Sequence, residues 1–163
     1  GTATDSAHTS FTVTDTNWHH VVFTYDGSVA TAGLRTTLYV DGVNHGITIT
    51  SGTFTAILHE GNKPLTIGSF TSGESPAENW NGSISEVAIY NSALSASQVK
   101  TLYNGREPYN HKEGIASGNL KAWWRMGDGL ENHSGTTIYD MSNNSNNGTM
   151  TNMASDDFTG DTP

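Results

Sequence analysis

The chain has no cysteine, which excludes disulfide staples and thiolate metal sites. It has only 4 prolines, too few for a proline-rich spacer. Cations are scarce: 7 Lys+Arg stand against 16 Asp+Glu, a net charge of −9 at pH 7. Nucleic-acid backbones and anionic membrane surfaces demand the opposite sign, so neither is an expected partner. The longest apolar runs, such as Val21-Val22-Phe23, are a few residues, and none is long enough for a helix to cross a bilayer. Charged residues make up only 14% of the chain, which separates it from the charge-rich disordered class.

What is present is glycine, at 18 residues, a large share of Thr, Ser and Asn, and aromatics: 4 Trp, 6 Tyr and 5 Phe among 163 residues. That length suits one domain, or one domain with a structured tail, and the aromatics are enough to seed a core. The acidic excess is compatible with a divalent cation or with plain solubility. Gly1 stands where an initiator Met would, and no signal-peptide pattern follows, as expected of a processed chain or a window of a longer one.

The patterning is that of strands. Phe11 and Val13 alternate with Thr, the period of a half-buried strand. Residues 18–25, Trp-His-His-Val-Val-Phe-Thr-Tyr, form a second candidate, closed by Asp26-Gly27. Leu38-Tyr39-Val40 ends on Asp41-Gly42, a hairpin signal whose partner strand would run Val43 to Ile49. Leu65–Gly68 is a short strand candidate. In Ser83–Tyr90 the alternation puts Ile84, Glu86, Ala88 and Tyr90 on one face. One helix interrupts the pattern. Ser95-Ala96-Ser97-Gln98 is a capping box, Val99, Leu102 and Tyr103 share a face, and Gly105 stands where a helix stops, which predicts a helix over 95–104.

Beyond Pro108 the texture changes. Residues 109–118 read as a polar linker, Leu120–Met126 as a strand, Thr136–Asp140 as another, and Asn143–Gly148 as an Asn-rich turn into a last short strand. The division expected is therefore 1–108, a sandwich, and 109–163, a linker with a strand segment.

Trp18–Gly27, Leu38–Gly42, Leu65–Gly68, Trp80–Asn91 and Ala93-Leu94-Ser95 together resemble the laminin-G-like domain, of the concanavalin A-like lectin/glucanase type. The resemblance covers roughly residues 11–108 in the family's order. It implies an all-β antiparallel jelly-roll β-sandwich with one short helix after the last long strand, where the capping box stands. The segments at 122–129, 136–142 and 146–150 look like the opening strands of the same family, displaced to the end of the chain. A displaced segment can fold back on its own chain or complete the sheet of a neighbouring copy, and a linker of this length makes fold-back reachable. Similar combinations occur in modular phage structural proteins.

Candidate chemistry is thin. Glucanases of this fold carry a Glu-x-Asp-x-x-Glu strand motif, and nothing here has it; Glu86 is a lone carboxylate, so no enzyme is expected. His19 and His20 are adjacent, and neighbours on a strand face opposite ways, so they do not chelate one ion. Trp18, Trp80 and one of Trp123 and Trp124 match aromatics that fill the family's core. That leaves Tyr109 and Trp124 as candidate sugar-stacking platforms. The resemblance also implies a Ca²⁺ site, for which Asp128, Asp140 and Asn143 are the candidate oxygen donors, although Ser85 stands where the family usually carries Asp.

The function expected is a non-catalytic binding or adhesion module, carbohydrate-binding first, on an extracellular or virion surface. Its partner would be a glycan or cell-surface receptor, with homo-oligomerisation open. The rival is a structural subunit of a fibre, capsid or filament assembling by strand complementation.

Overall fold

The computed structural model describes residues 6–52, 64–72, 75–126, 133–153 and 157. Among the described residues, five small sheets, all antiparallel, carry the fold. β1 (Ser6–His8) pairs with β5 (Thr48–Ser51). β2 (Val21–Tyr25), β3 (Thr36–Val40) and β4 (Val43–His45) form a meander. β6 (Ser69–Ser72) pairs with β7 (Ser75–Asn79), and β8 (Val87–Tyr90) with β9 (Leu120–Trp124). β10 (His133–Ser134), β11 (Thr137–Ile138) and β12 (Gly148–Thr149) make the last. The class is mostly β with one short helix, α1 (Ala96–Tyr103), among the described residues. Their ladders do not join into a closed jelly roll.

The hairpin at Asp41-Gly42 forms as the dipeptide dictates. Both residues take positive φ, 49° and 74°, the twist that matches two flanking right-twisted strands. Gly42 has a second constraint, since a Cβ there would lie 3.3 Å from the Tyr103 ring of α1. The expected partner strand is divided: β4 ends at His45, and β5 leaves to pair with β1. The 18–25 strand begins only at Val21. Ahead of it the His20 amide donates to the Asp41 carboxylate at 3.0 Å, and the Asp41 amide donates to the His20 carbonyl. The expected strand at Phe11–Val13 does not form, and Leu65–Gly68 is irregular, with the strand starting at Ser69. Ser83–Tyr90 is shortened to β8 because Glu86 sits at φ 55°, which breaks the alternation before Val87.

α1 is built as its ends prescribe. Ser95 Oγ accepts the Gln98 amide, and Gln98 Oε1 accepts the Ser95 amide at 2.8 Å, a complete capping box. Asn104 and Gly105 both turn left-handed and stop it. Its inner face buries Val99 and Leu102, which pack with Leu94 and Tyr39. A second cluster joins Ala122, Trp124 and Ile138.

The segment after Pro108 folds back on its own chain. Val87, Ala88, Ile89 and Tyr90 of β8 pair with Trp124, Trp123, Ala122 and Leu120 of β9. Among the described residues the other edge of β9 meets no strand; side chains of the Asn-rich loop take its place. Asn144 Nδ2 donates to the Leu120 carbonyl and Asn146 Nδ2 to that of Lys121. Asp140 Oδ1 accepts the Trp123 amide, and the Met141 amide donates to the Trp123 carbonyl. An edge that would otherwise expose unpaired N–H and C=O groups is thus satisfied.

Candidate functional site

Glu86 just before β8, Trp123 of β9, Arg125 just after it and the turn after Pro108 line an open cavity of about 330 Å³. Its lining includes Glu86, Tyr109, Asn110, Lys112, Trp123 and Arg125, with Met141 and Pro108 at the sides. Glu86 reaches it because its left-handed backbone turns the chain just before β8. Both carboxylate oxygens are engaged: Oε2 accepts the Trp123 indole N–H at 2.7 Å, and Oε1 accepts Arg125 Nε–H at 3.3 Å. The Arg125 guanidinium lies 5.8 Å from the Trp123 ring centroid, within cation–π reach. Glu86 is the one carboxylate in the described lining, so that lining does not carry the paired carboxylates of a glycosidase.

The 109–114 turn is set by local chemistry. Asn110 Oδ1 accepts the Lys112 amide at 3.1 Å, an Asx turn that puts Lys112 at the cavity. The Tyr109 hydroxyl accepts the Ile115 amide. Gly114, at φ 83°, is obligatory: a Cβ there would stand 2.5 Å from the Tyr109 hydroxyl oxygen. His111 points the other way, into the protein, and is buried among Tyr90, Tyr109 and Trp123, whose ring centroids are 5.2–6.0 Å away. Its Nδ1 shares a 2.6 Å hydrogen bond with the Tyr90 hydroxyl. Burial drives the His111 pKa down to about 4, with a smaller push from His20, so the ring is neutral at pH 7. Burial likewise pushes the Tyr90 hydroxyl up to about 12.

The sequence candidates divide. Tyr109 lines the cavity, half-buried, with its hydroxyl already engaged and its ring as the available surface. Trp124 is a correction: it is buried at 7% exposure, packs on Ala122 and Ile138, and its indole N–H donates to the Asn146 carbonyl at 2.9 Å. Trp123, one residue earlier and therefore on the opposite face, lines the cavity instead, but at 6% exposure it is as buried as Trp124 and presents only an edge of its ring there. Trp80, expected in the core, is 65% exposed.

Asp140 is a hub for backbone donors. Oδ1 accepts the Trp123 and Ser142 amides, and Oδ2 accepts the Asn146 amide and the Ser142 hydroxyl, all at 2.8–2.9 Å. Burial works to raise its pKa, but the bonds from Ser142, Trp123 and Asn146 outweigh it and hold the carboxyl below the usual range. Four donors on four lone-pair positions leave nothing for a cation, so this donor set does not fit Ca²⁺. Asn143 is an exposed turn residue at φ 75°. Asp128 lies outside the described residues. Among the described residues no group of three or more His, Cys, Asp or Glu is arranged to hold a metal ion.

His19 and His20 diverge, as adjacent residues should. His19 bridges Asp41 at 2.9 Å and Asp15 at 3.0 Å, and Arg106 approaches Asp41 at 3.7 Å. Hydrogen bonds to Asp41 and then Asp15 raise the His19 pKa. His20 stacks on Tyr103, and burial lowers its pKa.

Lys112, Asn110 and His111 carried no signal while 109–118 read as a linker. A family model described as the concanavalin A-like lectin/glucanases superfamily, of laminin G type, matches residues 1–100. No curated protein and no solved structure matches the chain. Of the cavity's described lining, Glu86 falls inside the matched residues and the others lie beyond them.

Proposed function

The chain belongs to the concanavalin A-like lectin/glucanases superfamily, and from that premise we propose a non-catalytic module that binds a saccharide in the Tyr109–Trp123 cavity. One observation carries this reading: aromatic rings, a fixed carboxylate and a side-chain amide converge on one small concavity. Sugars need that combination, because their C–H faces pack on aromatic rings while their hydroxyls need fixed polar partners. The cavity volume, about 330 Å³, is at the small end for ligand sites and suits one or two sugar rings. The jelly-roll strand order of the family, and a setting on an extracellular or virion surface, belong to the same proposal. A glycan array, run with Ca²⁺ and with a chelator, tests it. Binding that is lost in Tyr109→Ala supports the reading, and an array blank under both conditions defeats it.

A structural subunit is the second reading, and one observation favours it. The face of the β2–β3–β4 sheet turned away from α1 exposes Val21, Phe23 and Val43 at 55–59%. Exposed apolar surface of this kind marks interaction sites. Light scattering separates the readings: a concentration-dependent rise in mass that Phe23→Ser abolishes favours assembly.

A further inference from the structure

The cavity is electrically unlike the rest of the chain. Net charge is −9, yet two of the 7 Lys and Arg line this one concavity against a single carboxylate. Glu86 and Arg125 face each other as an ion pair, 3.3 Å apart, with side chains 13% and 25% exposed. Their charges offset, and the excess positive charge of the lining is that of Lys112. No carboxylate among the described residues lies within ion-pair distance of the Lys112 ammonium, and the residue is exposed. Glu107 and Glu113 flank the turn in sequence but do not line the cavity. The Asx turn at Asn110 holds the Lys112 backbone in place, so the cation is presented from an ordered loop.

We propose that the ligand is a singly anionic sugar unit, with its negative group on Lys112 and its apolar ring face against Tyr109. The assignment rests on the saccharide reading above. The physical reason is selectivity. An acidic surface repels anions at long range, so a lone uncompensated cation at a cavity mouth sets where an anionic group can come to rest. Lysine suits the role, as a compact point charge that does not require the planar geometry a guanidinium imposes. A uronate carboxylate and a sugar sulfate ester share this chemistry, and both carry one charge.

The test uses the whole chain and three probes: methyl glucuronide, methyl glucoside and glucose 6-sulfate. NMR titration at low salt follows the Trp123 indole N–H, whose bond to Glu86 places it at the cavity. The expected result is that one or both anionic probes shift this resonance with at least fivefold tighter binding than the glucoside. Lys112→Gln should remove that advantage. Lys112→Glu should reverse it. Whichever anionic probe binds tighter identifies the group as carboxylate or sulfate. Equal binding of all three probes overturns the charge assignment and leaves the saccharide reading standing. No shift with any probe defeats both.

Discussion

The β2–β3–β4 meander and the β8–β9 pair solve the same problem in opposite ways. The meander has a full complement of ladder bonds, five paired positions between β2 and β3 and three between β3 and β4. Yet one of its faces leaves Phe23 55% and Val21 59% exposed. The β8–β9 pair has four paired positions and a bulge, and among the described residues its outer edge is met by loop side chains and one loop amide rather than by a strand. It nevertheless buries Ala122, Trp123 and Trp124 to 7% or less. Backbone regularity and burial are therefore separate quantities in this protein. A hairpin forms from local turn chemistry, whereas a buried face needs something to lie against it.

The strongest way to break this contrast is to remove the side chain that stands in for a strand. Asp140→Ala deprives the Trp123, Ser142 and Asn146 amides of their acceptor. Charged hydrogen bonds of this kind contribute about 1.5–3 kcal/mol each and are not additive, so the loss should be about 3–5 kcal/mol. Urea denaturation monitored by Trp fluorescence reads it, and a loss under 1 kcal/mol would mean that the loop does not support β9.

Acid should act next most strongly, and on the same half of the molecule. His111 titrates near 6.5 when unfolded and at about 4 in the fold. Between those values the unfolded chain holds more protons, so this contribution is intact above about pH 6.5 and fades as pH falls towards about 4. Its full size is about 3 kcal/mol. Stability curves of the wild type and His111→Gln at pH 7 and pH 4.5 check it. The variant should lose this part of the acid slope, and parallel curves would remove His111 as the cause. His19 works in the opposite sense: its raised pKa stabilises the fold below its ordinary value of 6.5 and is lost as pH rises through the raised one.

The smallest effect belongs to the exposed face. Phe23→Ser should change the stability of the isolated chain by no more than about 0.5 kcal/mol, as for surface positions generally. A loss of about 2 kcal/mol or more would show that this face is covered in solution, and the two halves of the molecule would no longer differ.

Several local signals in the sequence were read correctly: the Ser95–Gln98 capping box, the Gly105 stop and the Asp41-Gly42 turn each depend on residues within four positions of one another. The Asn110–Lys112 turn is equally local and was read as linker. Strand lengths were overestimated where a single residue left the β region, as Glu86 does. Tyr109 lines the cavity, whereas Trp124 does not and Trp123 does, because alternation says that the two face opposite ways and not which of them meets the cavity. The Asn-rich run read as a turn, and its role as a substitute strand edge depends on residues 20 or more positions away.

The sequence by itself determined the β-rich class, the family, the position and caps of the helix, and the scarcity of cations that makes Lys112 conspicuous. Only the tertiary structure decided that β9 returns to β8, that Asp140 accepts from the Trp123, Ser142 and Asn146 amides, and that Glu86, Tyr109, Lys112, Trp123 and Arg125 share one cavity. The reason is the range of the forces. Caps and turns are settled by bonds between near neighbours in the chain. A cavity is settled by which surfaces are driven together out of water, and hydrophobic burial is non-directional and carries no record of sequence separation.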